Sequence, residues 1–226
     1  MNMESGLRQG LAALSLSLDD EQIARLLAYL ELLQKWNRVY NLTAVRDPQQ
    51  MLTHHLLDSL AAVPPLQAYR RQHAVHSLLD VGSGGGLPGV VFAICCPDLQ
   101  VHCVDTVGKK AAFIQTAAAQ LRLPNLKSIH ARVEQLQDRY DLISSRAFAT
   151  LADFTAWSRQ ALAEDGCWMA LKGKHPQQEI EALAQDITVF HVEQLQVPQL
   201  NVERCIVWMR LETTAAASSL QLSMPT

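Results

Sequence analysis

The sequence predicts a doubly wound α/β fold, in which a mostly parallel sheet carries an antiparallel terminal strand and an N-terminal helical cap. From residue 77 onward, short apolar runs alternate with helical patterns, which is typical of a parallel sheet covered on both faces. The last two strand patterns have no helix between them, so we expect them to pair antiparallel. Before residue 70 the apolar residues recur only at helical spacing.

Composition limits the function classes. The 226 residues are 49% hydrophobic and 18% charged, as expected for a folded chain with one large domain and an additional segment. The formal net charge of −3 argues against a basic surface that binds nucleic acid all over. Any contact with RNA must therefore come from a local basic patch.

The cysteines and the apolar runs indicate the compartment. The five cysteines lie mostly in apolar strand or helix patterns and form no Cys-x-x-Cys pair, which favours reduced thiols over disulfides or a metal site. The first ten residues are polar and do not look like a signal peptide. No run is long and apolar enough to cross a membrane. We therefore expect a cytoplasmic protein that binds neither metal nor membrane.

Capping residues divide the N-terminal part into helices. Asp19 and Gln22 have the spacing of a capping box, and Asp47-Pro48 starts a further helix that Pro64-Pro65 ends. We expect residues 1–70 to form a helical cap packed on the core, residues 71–212 to form the core, and residues 213–226, which are rich in Ala, Ser and Thr, to be disordered.

The core pattern predicts seven strands and four helices. The strands are predicted at 77–81, 101–105, 127–131, 140–144, 167–171, 187–197 and 204–211, and the helices at 90–96, 109–121, 151–163 and 177–185. In such a sheet the ligand site lies at the carboxyl ends of the strands. Candidate site residues are therefore those that follow each strand.

The loop after the first strand is rich in glycine and follows an acid, Asp80. Glycines exposing backbone N–H groups at a helix start suit a bound ligand. The spacing of Gly84, Gly86 and Gly89 also fits the dinucleotide fingerprint, whereas an acid just before the first glycine suits a ligand with an amine and a sulfonium. We expect ligand contacts from Asp80 and from the loop, at Gly82, Ser83 and Gly84.

Three charged residues follow later strands, and each has two interpretations. Asp105 lies about 20 residues after the glycine loop, the spacing expected of an acid that binds both ribose hydroxyls, or it is a solvated carboxylate. Glu134 either lies near an adenine edge or is a first-turn helix acid. Arg146 either binds a phosphate or the substrate, or forms a surface salt bridge.

Several motifs resemble the small-subunit rRNA methyltransferase G family (RsmG, also called GidB). They are Asp80-Val-Gly-Ser-Gly-x-Gly-Leu-Pro-Gly89, Trp36-Asn-x-x-x-Asn-Leu-Thr43, His55-x-x-Asp-Ser59, Asp105-x-x-x-Lys109, Arg132-Val-Glu134, Ser145-Arg-Ala-Phe148 and Leu171-Lys-Gly173. Gly85 and Val91 depart from residues common in the family. The resemblance runs in order from about residue 20 to residue 211.

The resemblance implies a class I, Rossmann-like methyltransferase that uses S-adenosyl-L-methionine to methylate N7 of a guanosine in bacterial 16S rRNA. Its substrate would be that RNA or the small ribosomal subunit, and we expect a monomer. Carried over by position, the cofactor contacts are Gly82, Leu87, Val133, Glu134 and Arg146.

On the substrate side, Arg38, Asn41 and Lys172 could belong to a basic rim, and Phe148 could stack on a flipped base. The alternative is that the charges are scattered over a solvated surface. For His55 and Asp58, one helical turn apart, the simpler interpretation is a core histidine hydrogen-bonded to the carboxylate.

The chemistry needs no general base. Guanine N7 has a free lone pair and no proton to remove, and the chain shows neither an Asn/Asp-Pro-Pro signature after the fourth strand nor a Pro-Cys nucleophile. A methyltransferase for a small molecule or a protein, and a non-catalytic protein that binds a dinucleotide or another cofactor, remain alternatives. An NAD-dependent dehydrogenase lacks support, because no Tyr-x-x-x-Lys catalytic pair is evident.

Overall fold

A seven-stranded sheet forms the centre of the computed structural model, which describes residues 2–212. Its strands are β1 (Ser77–Val81), β2 (Gln100–Asp105), β3 (Leu126–His130), β4 (Tyr140–Arg146), β5 (Leu162–Lys172), β6 (Ile187–Leu195) and β7 (Arg204–Leu211). Their order across the sheet is β3-β2-β1-β4-β5-β7-β6. The order reverses direction between β1 and β4, so the carboxyl ends of these strands open a crevice at the switch point.

The pairing of the strands confirms the predicted sheet. The pairs β3–β2, β2–β1, β1–β4 and β4–β5 are all parallel. Strand β7 lies between β5 and β6 and is antiparallel to both. Strands β6 and β7, which follow each other without an intervening helix, are therefore antiparallel, as the sequence predicts.

Helices cover both faces and form the cap. They are α1 (Met3–Ala13), α2 (Asp20–Tyr40), α3 (Pro48–Met51), α4 (Asp58–Leu60), α5 (Val63–Gln72), α6 (Gly89–Cys95), α7 (Gly108–Gln120), α8 (Leu151–Ser158) and α9 (Gln177–Glu181), with a π-helical segment at Leu52–Leu57 and short 3₁₀ turns at Val133–Gln135 and Arg159–Ala161. Up to residue 72 the described chain has no strand. The expected helical cap is confirmed, whereas α1 was not predicted.

The cap packs on helices α6 and α7, which cover one face of the sheet. Asp19 and Gln22 form the predicted capping box at the start of α2. The Gln22 amide also donates to the carbonyl oxygen of Ile94 in α6, at 2.9 Å. Buried residues of the cap, such as Leu26 and Leu30, belong to the same hydrophobic cluster as Phe92 of α6. This packing holds the first turn of α2 against the last turn of α6.

Four expectations concern the tail, membrane spans, metal sites and cysteines of the chain. The tail predicted to be disordered, residues 213–226, lies outside the described residues. Between residues 2 and 212, every helix is too short or too polar to span a bilayer. In the same range, no cluster of three or more His, Cys, Asp or Glu side chains could hold a metal ion. The five cysteines are buried and unpaired.

Candidate active site

The glycine loop between β1 and α6 has a backbone that only glycine adopts without strain. Gly82, Gly84 and Gly86 have φ angles of +67°, +58° and +83°, in the left-handed region. A Cβ at Gly86 would lie 2.5 Å from Cγ2 of Val90. The amide of Gly82 donates to the carbonyl oxygen of Val104 at the end of β2, at 2.9 Å. The loop therefore lies across the carboxyl ends of two strands.

Asp80 lies behind this loop, with no exposed surface. One carboxylate oxygen accepts from the amide of Gly89 at 3.1 Å, and the other accepts from the Ser144 hydroxyl at 3.0 Å. Burial raises the pKa of Asp80 to about 6, against the lowering effect of these donors. Asp80 thus joins the start of α6 to β4, and its place as a direct cofactor ligand stays a prediction.

Asp105 holds the other side of the loop. Its carboxylate accepts from the amides of Gly84 and Val107, at 3.0 and 2.8 Å, and the Lys110 ammonium lies 3.8 Å away. Each carboxylate oxygen has a second lone pair that can still accept a hydrogen bond. Asp105 can therefore bind hydroxyl groups while it holds the loop.

Asp105 lines a cavity of about 490 Å³ at the carboxyl ends of β1, β2 and β3, called here the first cavity. Its walls are Val81, Gly82, Val104, Asp105, Thr106, Val107, Lys110, Ala131, Arg132, Val133, Glu134, Ala147, Phe148 and Trp157. Four predicted cofactor contacts, Gly82, Asp105, Val133 and Glu134, meet here. The mixture of two carboxylates, backbone amides and apolar side chains suits a ribose and a purine.

The remaining loop residues lie outside the walls of this cavity. Ser83 is buried, and its hydroxyl donates to the carbonyl oxygen of Asp80 at 2.7 Å. Gly84 bonds Asp105, and Leu87, followed by a cis peptide bond to Pro88, is buried in the hydrophobic core. As contacts of a bound cofactor, Ser83, Gly84 and Leu87 stay predictions.

Phe148 forms the wall next to the glycine loop. It follows Ala147, whose φ angle is +51°, and a Cβ at Gly82 would overlap its ring. The Phe148 ring also meets the ring of Trp157 edge to face, with centroids 5.8 Å apart. Trp157 was not predicted as a site residue, because the sequence places it in α8 without showing which helix face meets the cavity.

A second cavity of about 390 Å³ adjoins the first at Ala147, which lines both. The walls of the second cavity are His54, His55, Asp58, Arg146, Ala147, Leu171, Lys172, Gly173, Leu195, Arg204 and Cys205. Arg146, predicted to contact the cofactor, lies here. Its guanidinium bonds the Asp58 carboxylate at 2.7 Å, and Arg204 bonds the other Asp58 oxygen at 2.6 Å. Two arginines share one carboxylate, so this trio carries a net positive charge.

The predicted hydrogen bond between His55 and Asp58 is wrong. The π-helical segment places Nε2 of His55 2.7 Å from the Thr43 hydroxyl oxygen, while the Asp58 oxygens are taken by the two arginines. Burial, followed by the charge of Arg146, lowers the pKa of His55 to about 4. His55 is therefore neutral near pH 7.

Lys172 lies at the end of β5 but is not a free cation. Its ammonium donates to Glu179 at 2.7 Å and to the carbonyl oxygen of Ala149 at 2.9 Å. Arg38 and Asn41 lie at the end of α2, outside both cavities: Arg38 lines a separate cavity of about 340 Å³ in the cap, and Asn41 accepts from Arg46 at 3.2 Å. The predicted basic rim is thus divided between two places.

Comparison with known proteins decides the family. The family model described as rRNA small subunit methyltransferase G (GidB) matches residues 22–207, which is more than half of the chain. The chain belongs to this family. A relative from Acidovorax sp. (strain JS42), named Ribosomal RNA small subunit methyltransferase G, is 66% identical over 216 residues, covering 92% of this chain and 96% of that protein.

Further members agree with the family and the fold. The methyltransferase G of Polaromonas sp. (strain JS666 / ATCC BAA-500) is 61% identical over 221 residues, with 96% of this chain and 98% of that protein covered. A solved SAM-dependent methyltransferase from Aquifex aeolicus is 13% identical, with a TM-score of 0.52 over 78% of this chain and 97% of that chain. At this identity the likeness shows the fold alone. The predictions of the GidB family and of the class I methyltransferase fold are confirmed.

Proposed function

We propose that this GidB-family protein transfers a methyl group from S-adenosyl-L-methionine to N7 of a guanosine in bacterial 16S rRNA. Its substrate is the RNA or the small ribosomal subunit, and the protein works as a monomer in the cytoplasm. One observation carries the proposal: family membership across residues 22–207 coincides with a ligand-sized cavity at the switch point of the sheet.

The walls of the first cavity fit the cofactor. Asp105 keeps lone pairs for the ribose hydroxyls, and Val133 and Glu134 stand next to it where a purine would lie. Gly82 has no side chain between its backbone and the cavity. When bound, S-adenosyl-L-methionine supplies an electrophilic methyl group on a sulfonium. The chain's own task is to hold the ligand in place and to exclude water.

The second cavity is suited to the nucleotide. It meets the first at Ala147, and Arg146 and Arg204 give it positive charge that attracts an RNA phosphate. Because N7 of guanine is already nucleophilic at neutral pH, the reaction depends on alignment at near-attack distance rather than on proton removal. His55 in its wall is a weak base, because its pKa is lowered to about 4, and this agrees with catalysis that needs no base.

Calorimetric titration with S-adenosylhomocysteine and with NAD tests the cofactor. We expect the first to bind and the second not to bind. Asp105→Ala should weaken binding about 10- to 100-fold, since losing a charged hydrogen-bond partner costs roughly 1–3 kcal/mol. Asp98→Ala is the matched control. Asp98 is an exposed acid that pairs with Arg70, and it lies just before the amino end of β2, whereas Asp105 lies at the carboxyl end. Binding of NAD alone would contradict the proposal.

Mapping the methyl group tests the target. Purified protein, methyl-labelled cofactor and small subunits from cells that lack the homologous enzyme should give label on N7 of one guanosine. Label on an exocyclic amine, on a carbon, or only on a small molecule or a protein would overturn the assignment to guanine N7.

A further inference from the structure

The loop between β4 and α8, residues 147–150, connects the two cavities. Ala147 lines both of them, and the next residue, Phe148, covers Gly82 and lines the first. Any movement of the 147–150 loop would therefore change the wall of the proposed cofactor site and its junction with the proposed nucleotide site together.

One ion pair, outside the first cavity, holds the far side of this loop. A single carboxylate oxygen of Glu179 accepts from the backbone amide of Leu151, at 2.7 Å, and from the ammonium of Lys172, also at 2.7 Å. The same ammonium donates to the carbonyl oxygen of Ala149, at 2.9 Å. Backbone groups on both sides of Thr150 are thus bound to Glu179 and Lys172.

The two partners come from separate elements. Lys172 ends β5, a strand of the rigid sheet, and Glu179 lies in the short helix α9. Their side chains are 17% and 33% exposed, so the pair is only partly screened by water. Glu179 lines neither cavity. Its hydrogen bonds reach the loop directly at Leu151 and through Lys172 at Ala149.

We propose that Glu179 is a positioning residue for methyl transfer. With Lys172 it anchors the 147–150 loop to β5, and this anchor keeps Phe148 against Gly82 and Ala147 at the junction of the cavities. The inference rests on the proposed function. It also gives Lys172 a different role from the expected one: its charge holds the loop rather than an RNA phosphate.

The first test follows the loop without any ligand. The ring of Phe148 lies edge to face with that of Trp157, so a displaced Phe148 changes the magnetic environment of the Trp157 indole. In ¹H–¹⁵N spectra, with the Trp157 indole signal assigned by Trp157→Phe, Glu179→Ala should shift or broaden that signal. Glu179→Gln should largely restore it, because its amide oxygen still accepts from Leu151 and Lys172.

Glu181→Ala is the matched control for this test. Glu181 lies on the same short helix, and its carboxylate accepts from Gln177 at 2.7 Å rather than from the loop. We expect the Trp157 signal of this variant to match that of the wild type. If Glu179→Ala melts too low for spectra, Lys172→Met breaks the same pair from the other side and replaces it. An unchanged Trp157 signal in the folded variant would overturn the proposal.

The second test measures binding. Glu179→Ala should weaken S-adenosylhomocysteine binding about tenfold, within the range for losing a charged hydrogen-bond partner, and Glu181→Ala should not. Lys172→Met should weaken it similarly, and the salt dependence of RNA binding should keep its slope. A flatter slope without a change of the Trp157 signal would assign Lys172 to RNA and overturn the proposal. If the wild type binds no S-adenosylhomocysteine, the proposed function fails, while the ligand-free spectra still decide the anchor.

Discussion

At the scale of single residues, Asp80 shows how burial and hydrogen bonding oppose each other. Its carboxylate has two donors, Gly89 and Ser144, but no exposed surface. Removing a charge from water costs more than these two hydrogen bonds return, so the pKa of Asp80 rises from 3.8 to about 6. Between pH 3.8 and about pH 6, the Asp80 carboxyl is therefore more often protonated in the folded state than in the unfolded state.

This pKa shift predicts the effect of Asp80→Asn on stability. As the pH rises from about 4 to about 7, the wild type must ionise a buried carboxyl, and it loses stability relative to the variant. A shift of about two pKa units is worth roughly 3 kcal/mol. Urea unfolding of both proteins at several pH values across this window measures the difference.

A surface acid controls for the general effect of removing a charge. The hydrogen bond from Arg70 lowers the pKa of Asp98 below its ordinary value of 3.8, so between about pH 5 and pH 7 the Asp98 carboxyl is ionised in both the folded and the unfolded state. Asp98→Asn should leave the pH dependence in this window as it is in the wild type. The same flat difference for Asp80→Asn would show that Asp80 does not titrate near pH 6.

Residues that end a strand were easier to predict than residues that act through tertiary contacts. Asp105, Val133 and Glu134 follow directly from their strands, and they line the first cavity. Trp157 and Glu179 reach the site region only because α8 and α9 pack beside the loop. No local pattern reveals which face of such a helix points to a cavity.

At the scale of elements, helix α2 and the glycine loop depend on each other. The Tyr29 hydroxyl, in the middle of α2, donates to the carbonyl oxygen of Gly85 at 2.5 Å, and the side chain is fully buried. Burial raises the pKa of Tyr29 well above its ordinary value, so the hydroxyl keeps its proton and remains a donor. This hydrogen bond joins the cap to the proposed cofactor loop.

Tyr29→Phe should therefore affect both stability and binding. The change leaves the Gly85 carbonyl oxygen without its donor in a dry environment, which costs about 1–3 kcal/mol of unfolding free energy. S-adenosylhomocysteine should also bind more weakly, because the loop loses a support. Urea unfolding and calorimetry measure the two effects.

Tyr40→Phe offers the comparison within the same helix. Tyr40 is 42% exposed, and its ring packs against that of Trp36 at a tilt, with centroids 5.1 Å apart, so it keeps that contact without its hydroxyl. We expect stability and binding close to the wild type. If both variants behave alike, the hydrogen bond to Gly85 does not support the loop.

Element boundaries were predictable where local and tertiary signals agree. Strand β1 has the predicted bounds, because Ser77 and the glycine loop limit it on both sides. Strand β5 begins at Leu162, inside a segment predicted to be helical, because Leu162 pairs with Tyr140 of β4. The apolar pattern of that segment gives no indication of the pairing between Leu162 and Tyr140.

At the scale of the whole molecule, one buried carboxylate links three parts of the chain. Asp58 belongs to the cap, Arg146 ends β4, and Arg204 starts β7. The motifs around Asp58 and Arg146 predicted the family correctly. No local pattern indicates the pairing of Arg204 with Asp58, because the two residues are 146 positions apart. The second cavity is thus a product of the complete fold.

The buried titratable groups in and beside the two cavities predict how the rate of methyl transfer depends on pH. Burial lowers the pKa of His55 to about 4 and raises that of Asp80 to about 6. Above pH 6.5, His55 is therefore neutral and Asp80 is mostly ionised. Burial raises the pKa of the Cys205 thiol in the second cavity.

With RNA and cofactor saturating, the single-turnover rate should therefore stay nearly constant from about pH 6.5 to about pH 8.5, because no group must act as a base. Rapid-quench assays with labelled cofactor measure it. A tenfold rise across this window would contradict catalysis by alignment alone, and loss of that rise in His54→Gln would identify His54, the partly exposed histidine of the second cavity, as the base.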